Sequence, residues 1–249
     1  MNSKTSYIPK PIYWLFTLTL FIGAFAVRMI DIDDLPLDFH PTRQLFSALK
    51  ARGMYYESIA PNIPEWQRDM AVQQWKTQIT LEPEFLEYLT VIAYTQRGEA
   101  DLALPRIITA IIWVISGTFL FLAARRLVSP DGALLTASFY LYLPYSVYAS
   151  RSFQPDPLMV AFIAAFIWAL AGWSDEKKWK WAILAGLFGG LATLMKVIAA
   201  FFIAGAALLT VLQKMSLKKA FNNVQVWGIA SLALLATVAY YVNGLAFSG

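Results

Sequence analysis

The stretch LDFHPTRQ, which follows the first apolar run, places several chemically capable side chains close together. It contains Asp38, Arg43, Gln44 and His40, the single histidine of the chain. A carboxylate at the rim of an apolar cavity can accept a proton from a hydroxyl, so Asp38 is a candidate general base. Because a proline stands on each side of it, the same aspartate also fits a helix N-cap or an Asx turn. For Asp38 taken alone, the capping role is the commoner one.

Asp156 is the second candidate carboxylate and lies in RSFQPDPLM. An aspartate between two prolines fits a helix N-cap, with Pro157 at the first helical position. The alternative is a second catalytic or metal-linked carboxylate. A lone histidine does not form a metal site, but Asp38 and Asp156 are carboxylates that would complete one for a hard cation, so a divalent cation is left open.

Basic side chains form a third candidate group. Each is, by itself, more typical of a snorkelling anchor at a membrane interface. Together with the two carboxylates they favour an anionic phosphate ligand, because arginine offers paired donors and lysine offers a point charge. The group consists of Arg43, Arg106, Arg151 and Lys196. His40 and Gln44 are further candidates for substrate contact, without an assigned role.

The elements that position these residues are predicted to be membrane helices. Hydrophobic residues make up 58% of the chain and charged residues only 14%, whereas a soluble domain is about half apolar and about a quarter charged. The chain contains no cysteine, which excludes disulfides and thiolate chemistry. The first apolar run is too long for a signal-peptide core and is expected to be a retained helix.

Loop charges decide the number of spans. A helix of roughly 20 apolar residues crosses a bilayer core of about 30 Å, and the stretch 181–212 is too long for one straight crossing. The N-terminus and three loops are basic, and all of them lie on the cytoplasmic side only if this stretch reverses near Met195 and Lys196. The sequence thus predicts an all-α polytopic membrane protein with its N-terminus in the cytoplasm. Its seven spans are expected near 11–30, 103–124, 132–150, 157–173, 181–195, 197–212 and 224–246.

The segment 31–102 is then expected to be an outer loop. It carries twelve acidic residues against six basic ones. Apolar residues recur at helical spacing in RQLFSALKARGMYY, PEWQRDMAVQQWKTQI and EPEFLEYLTVIAYTQRG, which predicts three amphipathic helices along the membrane surface. All of the candidate site residues fall at this outer face.

Several function classes are excluded by their missing motifs. The sequence has no P-loop, GxGxxG, GxSxG, HExxH or CxxC pattern, which argues against an ATPase, a Rossmann enzyme, a hydrolase elbow and a zinc peptidase. The basic residues fall in short clusters between apolar runs, so nucleic acid is not an expected partner. A phosphate-binding cavity at the outer face suits a lipid phosphate better than a free nucleotide.

Five segments together resemble the membrane glycosyltransferases of superfamily C, specifically the family 39 group. That group includes the protein O-mannosyltransferases, the aminoarabinose transferases and the bacterial Rgt-type enzymes. The segments occur in the family's order between residue 12 and about residue 212. They are LDFHPTRQLFSALKARGMYY, EPEFLEYL, LPRIITAI, YASRSFQPDPLM and GLFGGLATLMK.

The resemblance implies roles for individual residues. Asp38 matches the family's proposed catalytic base, Asp156 its second acidic residue, and Lys196 the lysine near the lipid phosphate. Arg106 matches the arginine at the start of the second span. One departure is Glu84, which stands where the family has the second of two prolines after Pro83.

The resemblance also implies the overall activity. We expect a membrane glycosyltransferase that moves a sugar from a polyprenyl-phosphate carrier to an extracytoplasmic glycan, lipid or protein, by inverting displacement with an aspartate base. Family members are usually longer, so residues 1–249 are expected to correspond to the family's N-terminal part, as a fragment, as one half of a split reading frame or as a module that needs a C-terminal partner chain. The alternatives are a non-catalytic fragment and a lipid-binding or transport-type membrane module.

Overall fold

The computed structural model describes residues 6–58, 63–78 and 82–247, with side chains up to residue 243. These residues form twelve helices and no strand, which confirms the all-α polytopic prediction. The first half contains α1 (Lys10–Arg28), α2 (Pro41–Ser58), α3 (Glu65–Lys76), α4 (Phe85–Arg97), α5 (Ala103–Leu127) and α6 (Pro130–Tyr142). The second half contains α7 (Pro144–Ser150), α8 (Asp156–Glu176), α9 (Trp179–Met195), α10 (Ala199–Lys214), α11 (Leu217–Phe221) and α12 (Val224–Phe247).

Four of the described helices are long and apolar enough to cross a membrane. These are α1, α5, α8 and α12, while α9 and α10 are apolar but shorter. In hydrocarbon every backbone polar group must bond within its own segment, so long apolar runs become helices. The count of seven crossings stays a prediction.

The span expected near 132–150 is not one continuous helix. It is divided into α6 and α7 at Pro144, which has no amide hydrogen to donate to the preceding turn. The end of α6 therefore needs another donor, and the fully buried Arg28 provides one. Its guanidinium donates to the Leu141 carbonyl at 2.9 Å, to the Ser150 hydroxyl at 2.7 Å and to the Ala24 carbonyl at 2.7 Å. Arg28 thus ties the end of α1 to both halves of the broken helix.

The core lies where α8, α9 and α12 pack together, and glycines permit their close approach. A methyl group added at Gly172 would lie 2.5 Å from the Trp181 ring, and one added at Gly190 would lie 2.5 Å from the Leu232 carbonyl oxygen. Small residues allow such backbone contact between membrane helices. The buried Trp173 fills the space at one end of this group.

The chain reverses direction between α9 and α10. Lys196 is extended there, with φ −153° and ψ 128°. Beyond the break, Ile203 returns to lie beside Gly189, where an added methyl group would meet it at 3.3 Å. Farther along α10, Val211 lines the same groove as Trp227 near the start of α12. The long stretch 181–212 is therefore two helices that run in opposite directions.

The segment between α1 and α5 contains the three expected amphipathic helices, α2, α3 and α4. Close packing of α2 on α3 requires Gly53, where an added methyl group would lie 2.5 Å from the Trp75 Cβ. Gly98 ends α4 in the left-handed region, with φ +84°, and its amide donates to the Tyr94 carbonyl. Glycine is favoured in that position because it has no Cβ.

The two ends of the bundle differ in charge. At one end Ser6 bonds Asp131 at 2.5 Å, Arg126 pairs with Glu176 at 3.6 Å, and basic loops converge. The opposite end, called here the site end, gathers the end of α1, the segment α2–α4, the starts of α5 and α8, and the break between α9 and α10.

Candidate functional site

Asp38 is held at the site end by two side chains. The Gln44 amide donates to its Oδ1 at 3.0 Å, and the Arg106 guanidinium lies 3.6 Å from its Oδ2. The side chain of Asp38 is 27% exposed, whereas that of Arg106 is only 2% exposed. The carboxylate is therefore fixed from the protein side and open on the other.

Gln44 connects Asp38 to a distant part of the chain. Its side chain is fully buried, and its amide also donates to the Phe39 carbonyl at 2.8 Å. Its carbonyl oxygen accepts from the Phe153 amide at 3.1 Å, in the loop between α7 and α8. This one side chain thus sets the position of Asp38 relative to the start of α8.

The capping interpretation of Asp38 is wrong. The helix α2 begins at Pro41, so His40 precedes it directly, and the amides of Arg43 and Gln44 donate to the His40 carbonyl at 3.0 and 3.2 Å. His40 itself is exposed, adopts φ +54°, and packs its ring edge-on against Phe39. Asp38 therefore lies two residues before the N-cap position, and its carboxylate makes side-chain contacts instead.

Arg106 and Arg151 both bind the backbone of the segment that leads to Asp38. Arg106 donates to the Ile32 carbonyl at 2.7 Å and to the Asp34 carbonyl at 2.5 Å. Arg151 donates to the Asp31 carbonyl at 2.7 Å. Carbonyls in an irregular segment need such donors when they are removed from water. These contacts engage both guanidiniums in shaping the 31–34 segment.

A second cluster surrounds Lys196. Its ammonium lies 2.7 Å from the Asp156 Oδ2 and 3.9 Å from the Glu82 Oε1. The other oxygen of Glu82 is 2.7 Å from the Arg43 guanidinium. Side chains in this cluster are between 20% and 37% exposed, so a polar ligand could reach both cations.

Asp156 lies one position later in its helix than expected. It is the first residue of α8, with Pro155 at the N-cap and Pro157 second. A carboxylate in the first turn is favoured by the helix dipole, and here it also meets Lys196. The ion pair joins the start of α8 to the break between α9 and α10.

The first turn of α2 links the two clusters. Arg43 reaches the Lys196 cluster through Glu82, and its neighbour Gln44 reaches Asp38. The arrangement provides a partly exposed carboxylate and a pair of partly exposed cations at the same end of the bundle. Such a site can accept a proton on one side and hold an anion on the other.

Sequence reasoning missed a buried polar group beneath Arg43. Lys50, only 4% exposed, pairs with Glu84 at 2.8 Å. The nearby Glu87 bonds Ser47, and burial raises the pKa of its carboxyl above the ordinary value. One oxygen of Glu87 has no partner beside a cavity of about 20 Å³, which is room for one water. The signal was the polar residues Gln44, Ser47 and Lys50, which recur every third position along α2.

The sequence left open a divalent cation at Asp38 and Asp156. Within the ranges that the structure describes, no three histidine or acidic side chains are grouped so as to hold a metal ion.

A comparison with known protein families identifies the family of this chain. A family model described as dolichyl-phosphate-mannose-protein mannosyltransferase matches residues 83–241, more than half of the chain. The chain belongs to this family. It is a membrane glycosyltransferase by that membership, and the family uses a lipid-linked sugar donor and an acceptor. No curated protein and no solved structure gives a significant match.

The matched range covers only part of the candidate site. The match to the mannosyltransferase family includes Arg106, Arg151, Asp156 and Lys196. It begins after Asp38 and the first turn of α2. Contacts across the fold, in particular Gln44 to Phe153, join the unmatched part to the matched part.

Proposed function

We propose that the protein transfers a sugar from a polyprenyl-phosphate carrier to an acceptor hydroxyl outside the cytoplasmic membrane. One observation carries the proposal beyond the family: a fully buried glutamine, Gln44, fixes Asp38 while the carboxylate itself stays partly exposed. A general base must lie within hydrogen-bond reach of the proton that it accepts and must keep its orientation. The partial exposure of Asp38 leaves it open to an acceptor hydroxyl, and Gln44 supports its orientation.

The reaction is a displacement at the anomeric carbon. Asp38 accepts the proton of the acceptor hydroxyl as its oxygen bonds to that carbon. The bond between the carbon and the phosphate oxygen breaks on the opposite face, and its electron pair leaves with the lipid phosphate. The configuration at the anomeric carbon is therefore inverted. The acceptor is a glycan, a lipid or a protein.

Lys196 and Arg43 suit the phosphate, because they are partly exposed and lie close enough to share one carboxylate. Positive charge placed where a leaving group develops negative charge stabilises the transition state. Asp156 holds Lys196 in place at 2.7 Å. Arg106 and Arg151 are assigned to shaping the segment before Asp38, since both donate to its carbonyls.

The charge difference between the ends supports an orientation. Basic loops gather at the end opposite the site, and cytoplasmic loops of membrane proteins carry the excess of lysine and arginine. The N-terminus is thus cytoplasmic and the site faces outward.

The test is turnover of radiolabelled polyprenyl-phosphate sugars by purified protein in right-side-out vesicles, with the acceptor outside only. Asp38→Asn is expected to lower turnover by about 10²–10⁴ while donor binding is kept. Asp33→Asn, an exposed carboxylate in the same segment, is the matched control and should behave as wild type. Undiminished turnover in Asp38→Asn would refute the base. Donor binding without turnover in wild type would favour a non-catalytic lipid-binding module.

A further inference from the structure

Glu82 occupies an unusual position between two cations of the site. Its Oε2 lies 2.7 Å from Arg43 and its Oε1 lies 3.9 Å from Lys196. The two cations come from distant parts of the chain, the first turn of α2 and the break between α9 and α10. Their side chains meet on the two oxygens of one carboxylate.

A carboxylate in this position resembles a bound phosphate. Arginine donates through a fork that matches the two oxygens of a carboxylate or of a phosphate equally well, and lysine adds a point charge to either. A ligand phosphate that uses both cations must therefore take the place that the Glu82 carboxylate holds.

The Glu82 side chain can rotate away from the two cations while the backbone of its segment remains fixed. Glu82 precedes α4 and is not part of a helix, and its side chain is 22% exposed. Two residues later, Glu84 pairs with Lys50, whose side chain is only 4% exposed. This buried pair anchors the segment to α2, and a rotation of the Glu82 side chain leaves it undisturbed.

We propose that Glu82 is an internal counter-ion that the donor's phosphate displaces. Together with Asp156 it balances the charges of Arg43 and Lys196 in the free protein, and it keeps other anions away from them. On donor binding the carboxylate turns outward, and the phosphate takes over its two contacts. Asp156 remains bonded to Lys196 throughout and keeps the ammonium in place. This inference rests on the proposed function, since it assumes that the donor carries a phosphate.

The direction in which phosphate affinity changes when the charge of Glu82 is removed distinguishes this role from a structural one. If Glu82 is displaced by phosphate, Glu82→Gln removes a competitor and a like charge, and phosphate binding becomes tighter. If Glu82 only positions the two cations, the same substitution disorders them and binding becomes weaker. We expect the dissociation constant of Glu82→Gln for the phosphate ligand to be about tenfold lower than that of wild type, which corresponds to about 1.4 kcal/mol. The difference between the two proteins should be smaller at high ionic strength.

The experiment measures binding of a polyprenyl monophosphate without sugar to the full chain in nanodiscs, with the neutral polyprenol as comparison ligand. Glu65→Gln is the matched control: it removes the same charge from a side chain that is 82% exposed and should leave the dissociation constant unchanged. Tighter phosphate binding by Glu82→Gln alone supports the inference. Equal or weaker binding overturns it.

Two further outcomes keep the inference separate from the proposed function. If wild type binds the phosphate no better than the polyprenol, the proposed phosphate site fails, whatever Glu82 does. If Glu82→Gln does not fold, Glu82→Ala serves as the second variant. Failure of both to fold would show that Glu82 is a structural residue and would overturn the counter-ion role.

Discussion

The contacts of Gln44 lead to a prediction that needs no substrate. Gln44→Met keeps the approximate length of the side chain and removes its three hydrogen bonds, to Asp38, Phe39 and Phe153. A bond to a charged group contributes about 1.5–3 kcal/mol and a neutral one about 0.5–1.5 kcal/mol. Allowing for the apolar replacement, we expect the free energy of unfolding to fall by roughly 3 kcal/mol.

Thermal unfolding in detergent, followed by circular dichroism, measures this loss. At roughly 2–4 °C per kcal/mol for a chain of this size, Tm should fall by roughly 6–12 °C. Gln96→Met, on the exposed side of α4, is the matched control and should leave Tm unchanged. Below the lowered Tm, turnover should still fall by up to about 10², because Asp38 loses its orientation.

A double-mutant cycle with Asp38→Ala tests whether the loss belongs to the Gln44–Asp38 contact. Because the hydrogen bond to the charged carboxylate can be removed only once, the two effects should be non-additive by about 1.5–3 kcal/mol. Additive effects, or a Tm of Gln44→Met equal to that of its control, would refute the argument that Gln44 positions the base.

Two further predictions concern the segment α4. Burial raises the pKa of Glu87 above its ordinary value of 4.5, so the folded protein holds the carboxyl proton more tightly than the unfolded chain does. The protonated carboxyl therefore contributes its full stabilisation below pH 4.5. That stabilisation is lost as pH rises through the pKa of Glu87 in the folded protein. Between pH 4.5 and neutrality, Tm of wild type should therefore fall relative to Tm of Glu87→Gln, and parallel curves for the two would contradict this. Gly98→Ala should lower the free energy of unfolding by about 1 kcal/mol, because φ is +84° and no atom lies within 4 Å of the added methyl group. A loss several times larger in the same unfolding assay would point to a contact in place of backbone strain.

Much of the fold was predictable because each element obeys a local rule. Long apolar runs must become helices in hydrocarbon, and helices lie in each predicted run, although the run 132–150 is divided at Pro144 into α6 and α7. The break in 181–212 was predicted from loop charges alone, and the structure separates two helices at Lys196. The three amphipathic helices between α1 and α5 followed from apolar spacing, and Gly98 marked the end of α4.

The candidate site was predictable only as a set of residue types. Asp38, Asp156, Arg43 and Lys196 could be selected because ionisable groups near a membrane are paired or functional. Their pairing could not be predicted, because a side chain's partner depends on which segments pack together.

The sequence by itself determined the class of protein, the apolar runs that form its helices and the residues able to do chemistry, since these depend on neighbours along the chain. Only the tertiary structure decided how those residues are used. Gln44, which holds Asp38, also accepts from the Phe153 amide 109 positions away. Glu82 meets Arg43 and Lys196 from a third segment. The physical reason is that packing sets distances between remote side chains, and ion pairs and hydrogen bonds depend on those distances.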